Sequence, residues 1–507
     1  MAQSFLDFFD SFFPVREESR DNRLAIWLDR LIYGCILLTA LAAPISIAVT
    51  NIGWILGVFV WFLRFFVKPR PKIFRTPLDF AVIGFFAWLV FSSFFSYAPD
   101  LSFDRVKGFS HFLIAYLVAH NIRHLKSVKV LVGALILACM VTVVVTFSQR
   151  VVGRGVQVFE VSADGALARA GVLNGDTLLR INGARFYQPE ELSAAVAQNE
   201  IVKLNFYRPD WHYDVELRRE NLQTGATAEE KLGFRAWQHG RNWRSQAFFS
   251  HYTTYAEVLQ LVAALAFGIF IALPVKRSKP GILLVFCLIG MSGALLLTAT
   301  RASQIGFVLA ILAITTIGAN RKTLFSLIAL LLPVAIIGAI YMQQSRKTGF
   351  ADTADGSITW RQTVYREGFE LLIKSPRHLA VGVGINSINR FRCEWGMFDN
   401  CRLPPGHLHS TPLQIAVDCG LPALFLWLLV VFRYGRTMLV SIRKTVENSF
   451  EKGLMLGALG GLVGFFASGI VHYNLGDAEV AMNFYLIMGL GLAVWLRHNQ
   501  NLKLSNQ

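Results

Sequence analysis

Apolar runs close to the length of a bilayer-crossing helix recur along this chain, and they constrain its fold more than any other feature. They fall near residues 24–44, 46–66, 78–97, 108–121, 128–149, 252–274, 281–299, 303–318, 323–342, 409–432, 453–471 and 480–496. About 20 helical residues cross a hydrocarbon core of roughly 30 Å. Of the 507 residues, 54% are hydrophobic, more than a soluble interior can hide. The sequence therefore predicts a polytopic α-helical membrane protein with about twelve spans. Residues 1–15 mix Phe5, Phe8, Phe9, Phe12 and Phe13 with Asp7 and Asp10 and have no basic stretch. They read as a short interfacial helix or a frayed end, not as a cleavable signal.

The net charge of +16 suggests a polyanion partner, but its distribution assigns it to topology. One set of internal loops holds Arg64, Lys68, Arg70, Lys72 and Arg75; Arg123, Lys126 and Lys129; Lys276, Arg277 and Lys279; Arg321 and Lys322; and Arg433, Arg436, Arg443, Lys444 and Lys452. The short turns opposite hold Arg105, Lys107 and Arg301. This is the positive-inside bias of an inner-membrane protein. It places both termini in the cytoplasm and leaves no call for nucleic acid. The segments near 150–250 and 343–408 are too long and polar for turns, and both fall on the periplasmic side. The expected order is a membrane region over 1–150, a periplasmic domain over 151–235, a membrane region over 236–342, a periplasmic loop over 343–408 and a membrane region over 409–507.

Cys35, Cys139, Cys287 and Cys419 lie in or beside apolar runs and read as packing residues. Cys393 and Cys401 share the second periplasmic loop, where an oxidising compartment favours a disulfide.

Residues 155–217 have a different rhythm. Val156, Val158 and Val161 read as a strand, and Leu178, Leu179 and Ile181 as another, closed by the turn signal Asn182-Gly183. A helix opens at Pro189, and alternation returns at Val202, Leu204 and Phe206, then at Val215 and Leu217. Within this segment, Ala168-x-x-Gly171-x-x-x-Gly175-Asp176-x-x-Leu179-x-Ile181-Asn182-Gly183 resembles a bacterial PDZ domain of the periplasmic protease type. That resemblance implies a small α+β domain which captures a periplasmic protein C-terminus by strand addition. Leu232, Gly233 and Phe234 then stand where a circularly permuted arrangement would put the carboxylate-binding loop. The alternative is a fold that only braces the membrane region. Residues 235–250, with Trp237, Trp243, Phe248 and Phe249, read as an interfacial return to the membrane.

Charged groups at membrane edges need a reason, because burial there is costly. Arg301 stands between two apolar runs in Thr298-Ala299-Thr300-Arg301-Ala302-Ser303. A helix is expected over 358–374, capped by Asp355 or Ser357, with Arg361 on its first turn. A cation at a helix N-terminus opposes the dipole, so Arg361 points to a bound anion; Arg366 is a weaker candidate. His409 and Ser410 precede the tenth run, and Asp418 lies deeper in it. His472, Asp477 and Glu479 occupy the last turn on the same side. His407-x-His409 has no third metal ligand at useful spacing, so no metal or cofactor is expected.

His409-Ser410, nine residues, Gly420, two residues and Ala423 is similar to the signature of O-antigen ligases, with Ala423 where the family has glycine. Thr300-Arg301-Ala302, Arg361 and Gly382-Val383-Gly384 resemble other family features. The resemblance implies a GT-C-like ligase or polymerase architecture. It implies a donor glycan on undecaprenyl diphosphate and an acceptor hydroxyl on lipid A core, another glycan or a protein. Transfer would be inverting and metal-independent. Arg301 and Arg361 would bind the diphosphate, and His409 would act as general base, with Ser410, His472 and Asp477 as weaker substrate contacts. The competing class is a transporter or membrane scaffold. A transporter predicts internal repeats and midplane breaks, which the sequence does not show. A scaffold has no use for Arg301, Arg361 and His409 together.

Overall fold

The computed structural model describes Arg16, Ser19 and residues 21–208, 211–320 and 356–505. The expected interfacial helix at residues 1–15 and the expected span at 323–342 lie outside these residues. The chain forms two compact units, Met1–Thr142 with Gln246–Gln507, and Val143–Ser245.

The first unit opens with α1 (Arg23–Ala42), α2 (Ile47–Arg64), α3 (Asp79–Phe94), α4 (Pro99–Val106), α5 (Phe112–Asn121) and most of α6 (Leu125–Val152), whose residues from Val143 on belong to the second unit. Side-chain acceptors start the first two: Asn22 takes the N–H groups of Leu24 and Ala25, and Ser46 takes that of Val49. Such caps satisfy donors that a helix end leaves open. Two runs differ from expectation. The run at 108–121 divides into a 3₁₀ turn, Lys107–His111, and the ten-residue α5. That of 78–97 yields a helix of 16 residues. At about 1.5 Å rise per residue, α5 falls well short of a bilayer.

The second unit is a sheet with three small helices. In order it holds β1 (Arg154–Phe159), α7 (Ala166–Arg169), β2 (Thr177–Ile181), β3 (Ala184–Arg185), α8 (Pro189–Gln198), β4 (Ile201–Arg208), β5 (Trp211–Arg218), α9 (Ala228–Leu232) and β6 (Ala236–Gly240). The strand order is β5-β4-β2-β1-β6, with β3 beside β2, and the pairings are antiparallel. Val156, Val158, Leu178, Val202, Leu204, Phe206 and Leu217 share one core with Leu192 and Val196 of α8. Pro189 starts α8 where a missing N–H costs nothing, and Glu191 closes a capping box with Gln188. Asp176 explains the Gly-Asp pair of the motif. Its buried carboxylate accepts from the Leu173 N–H and pairs with Arg208 at 2.7 Å.

β6 corrects the expectation of an interfacial return. Residues 236–240 pair with β1, Arg154 opposite Gly240 and Phe159 opposite Ala236, and Trp237 packs on the sheet core. Trp243 instead lies under Arg154 and Arg150, with guanidinium carbons 4.4 and 5.0 Å from its ring. Those aromatic residues signal a folded domain as well as an interface.

The first unit resumes with α10 (Tyr252–Ile271), α11 (Lys279–Leu297), α12 (Arg301–Gly318), α13 (Gly356–Ile373), α14 (Pro376–Val381), α15 (Ser387–Phe391), α16 (Thr411–Lys444), α17 (Phe450–Gly469) and α18 (Ala478–Ser505). Among the described residues, nine helices are long and apolar enough to cross a membrane: α1, α2, α6, α10, α11, α12, α16, α17 and α18. α10 is buried along nearly its whole length and packs against α12 and α17. Small residues permit this. A Cβ on Gly268 would stand 2.2 Å from the Gly457 nitrogen, so the two backbones meet directly. α16 extends past its expected end, and Arg433, Arg436, Arg443 and Lys444 lie on it, not in a loop.

Candidate functional site

α16 is broken near its start, and the break assembles the site. Pro422 lacks the N–H that would bond Asp418, and Gly420 adopts φ 83°, ψ 171°, a region open essentially to glycine alone. The freed carbonyls find other donors. Val383 N–H donates to Val417 O and Gly384 N–H to Asp418 O, at 2.9 and 2.8 Å, and the Trp88 indole donates to Cys419 O at 3.0 Å. The Gly-x-Gly turn read in the sequence is thus docked on the broken helix. A Cβ on Gly382 would lie 2.4 Å from Asp418 O, and one on Gly420 2.3 Å from Ala380 O. Ala423 is fully buried.

Gln414, one turn into α16, holds the preceding loop. Its carbonyl accepts from the Leu408 N–H at 2.7 Å, and its amide donates to Asp418 at 2.9 Å. The other Asp418 oxygen is buried with no hydrogen-bond partner. Ser410 caps α16 by accepting from the Leu413 N–H, so its hydroxyl already serves the fold. His409 has φ 46°, an uncommon conformation for a non-glycine residue and a strained one. Its carbonyl accepts from the Tyr365 hydroxyl at 2.8 Å, and its ring meets Trp360 edge-on at 4.7 Å.

Three imidazoles converge here. The His409 ring centroid lies 4.0 Å from His407 and 5.9 Å from His472, and His407 lies 5.6 Å from His472. Sequence spacing hides this cluster, because His472 arrives from the turn between α17 and α18. Behind His472 stands Glu257 of α10, a residue the sequence reading missed, with Oε2 3.3 Å from His472 Nδ1. Its only sequence signal was a carboxylate in an otherwise apolar run. Asp477 accepts from the Thr254 hydroxyl of the same helix.

These groups differ in charge preference. Burial, then His472, His251 and Arg361, pull His407 down to about 3. Burial, then His407, His472 and Arg361, pull His409 down to about 2. Burial also disfavours the His472 cation, but the Glu257 carboxylate and Asp477 outweigh it, and its pKa lies above the usual imidazole value. The three rings are the described group closest to a metal-binding set, with ligand atoms within 4.8 Å of one another. They fit an ion poorly. The Nδ1 lone pair of His407 already accepts the His409 N–H at 3.1 Å, and the Arg361 charge opposes a second cation.

His407, His472, Asp418, Asp477 and Glu479 line a cavity of about 580 Å³, with Arg105, Phe109 and Ile388 among its other walls. His409 touches two of those rings from outside the lining. Arg361 is half-buried on the second turn of α13, not the first. The described helix starts at Gly356, so Ser357 lies inside it; Asp355 is outside the described residues. The dipole falls off within the first turn. What marks Arg361 is its charge acting on all three imidazoles. Arg366 is exposed and pairs with Glu370 at 4.0 Å. Arg301 begins α12 and is not part of the cavity lining. Cys393 and Cys401 form a disulfide in the loop packed on α13, where Glu367 accepts the N–H groups of Phe398 and Asp399.

In the second unit, Gly233 ends α9 with φ 84°. The N–H groups of Gly233 and Phe234 both donate to Glu229 O, and Leu232 and Phe234 fill the core. This corrects the expectation of a loop with open donors for a carboxylate: those donors cap α9.

Residues 283–428 match the model of a family described as O-antigen ligase. A search of curated proteins finds no match. The matched segment contains Arg301, Arg361, His409 and the Gly420 break; His472, Glu257 and the whole second unit lie outside it. With nine apolar helices among the described residues, the match supports a multi-pass membrane protein. In class, it supports a glycosyl-transferring ligase or polymerase.

Proposed function

We propose that this protein transfers a glycan from undecaprenyl diphosphate to an acceptor hydroxyl at the periplasmic face of the inner membrane, with inversion. The observation that carries this reading is the cavity where the histidine cluster, under the charge of Arg361, meets the break in α16. Arg361, with Arg301, would bind the donor diphosphate, since guanidinium forks match phosphate oxygens, and would stabilise charge on the leaving group. His409 would take the proton of the acceptor hydroxyl. At rest it is neutral, so its lone pair is available. A diphosphate docked beside it would raise its basicity, because a nearby anion favours the imidazolium. The acceptor is lipid A core, a further glycan repeat or a protein hydroxyl.

We also read the second unit, a six-stranded antiparallel sheet with small helices, as a permuted PDZ-like domain. The N–H groups of Gly233 and Phe234, which cap α9, speak against capture of a C-terminal carboxylate at that loop.

The test is release of undecaprenyl diphosphate by purified full-length protein given donor and acceptor extracted from its host. His409→Ala and Arg361→Ala are each expected to lower the rate by about 10²–10⁴-fold, the usual range for a positioned base, without loss of folded protein. Full activity in both would overturn the assignment.

A further inference from the structure

We propose that Glu257 and His472 form a carboxylate–imidazole pair that is the final resting place of the acceptor's proton, with Glu257 as a positioning residue. The proposal rests on the transfer reading above and extends it to two residues outside the matched segment.

The geometry is that of an oriented base. Glu257 comes from α10, the most buried of the described membrane-length helices, and is 1% exposed. One oxygen faces His472 Nδ1 at 3.3 Å, and the other has no hydrogen-bond partner. A half-satisfied buried carboxylate is costly, and such costs are characteristic of functional sites. With Nδ1 turned to Glu257, the neutral tautomer of His472 keeps its Nε2 lone pair, which is how a carboxylate prepares an imidazole for proton transfer. His472 lines the cavity, and its backbone is fixed, because its carbonyl accepts from the buried Thr411 hydroxyl at 3.2 Å.

His409 alone is a poor place for the proton to stay. It is crowded by His407, His472 and Arg361, and among the described residues no carboxylate offsets them. Nitrogen atoms of the cluster lie within 4.8 Å of one another, a gap one water can bridge in a proton transfer. The step balances. The acceptor O–H breaks as its oxygen bonds the anomeric carbon, and the bond from that carbon to the diphosphate oxygen breaks. Undecaprenyl diphosphate leaves with the electron pair, and the proton passes through His409 to His472. Among the described residues, the charged and titratable groups facing His472 are Glu257 on α10, Asp477 just before α18 and Arg361 on α13, with His407 and His409 on the loop. The two carboxylates raise its basicity and Arg361 lowers it.

Full-length protein carrying Glu257→Gln, Glu257→Asp or His472→Gln separates this from a structural role. Two readouts are used: undecaprenyl diphosphate release across pH, and titration of ¹³C-labelled histidines. E257Q is expected to lower kcat 10–100-fold with KM within about 2-fold, and to move the acid limb of kcat to lower pH as His472 loses its carboxylate. E257D keeps the limb in place, and H472Q loses it. In the titration, one imidazole moves to lower pH in E257Q. If E257Q keeps the wild-type kcat and limb, or if no imidazole titration moves, the proposal fails. If the titration moves but wild-type protein transfers nothing from any extracted donor, the pair stands and the transfer reading is at fault.

Discussion

At the scale of single residues, two glycines do the most to define the site. Gly382 (φ 73°, ψ −168°) and Gly420 (φ 83°, ψ 171°) both occupy backbone regions closed to other residues, and each faces the other's chain segment. Gly382→Ala or Gly420→Ala is expected to destabilise the first unit by about 2–4 kcal/mol, read as a lowered melting temperature in detergent and loss of donor release. An unchanged melting temperature would mean that the docked turn is dispensable. Both glycines were marked by the ligase resemblance, Gly420 in the histidine signature and Gly382 in the Gly-x-Gly turn, but the reason was not visible there: the partner of the freed Asp418 carbonyl lies well back in the sequence. The disulfide cysteines were legible because they share a short polar loop, and His409 and Arg361 could be singled out from the sequence as candidates. Glu257 and the role of His472 were not, since their pairing exists only once α10 and the turn between α17 and α18 are packed together.

Among elements, the sheet was read well and its boundary was not. The alternation at Val156, Leu178 and Val202 gave strands, because a half-buried sheet imposes period two. β6 was missed because Trp237 and its neighbours resemble an interfacial girdle, and aromatic residues serve both settings. Spans were legible where the apolar run is continuous. The run near 108–121 misled because its apolar content is spread over a 3₁₀ turn and a short helix. The ion pair between Arg208 on β4 and Asp176 before β2 gives a test on this scale. Arg208→Ala would leave a buried carboxylate without its cation, and is expected to cost the second unit about 2–3 kcal/mol, seen as earlier unfolding in denaturant.

For the whole molecule, the division into two units predicts independence. A fragment of residues 153–242 contains the sheet and its core, and a chain of that size can fold alone. It is expected to be water-soluble and to unfold cooperatively on heating, followed by circular dichroism. A fragment without a sigmoidal transition would show that the membrane helices are needed to fold it. The basic loops make a separate forecast for the membrane unit: reporters fused at either terminus should register as cytoplasmic, and a periplasmic signal from either would invert the topology.

Arg154, the first residue of the second unit's sheet, pairs with Gly240, the last. The module therefore starts and stops at neighbouring positions on adjacent strands. Its ends span no more than the gap between two paired strands, about 5 Å. A coding segment with such ends can be gained or lost in one recombination event without stretching the flanking chain. Chains sharing the ligase-like helices but lacking this module are thus expected in nature, joined at that point by a turn of a few residues.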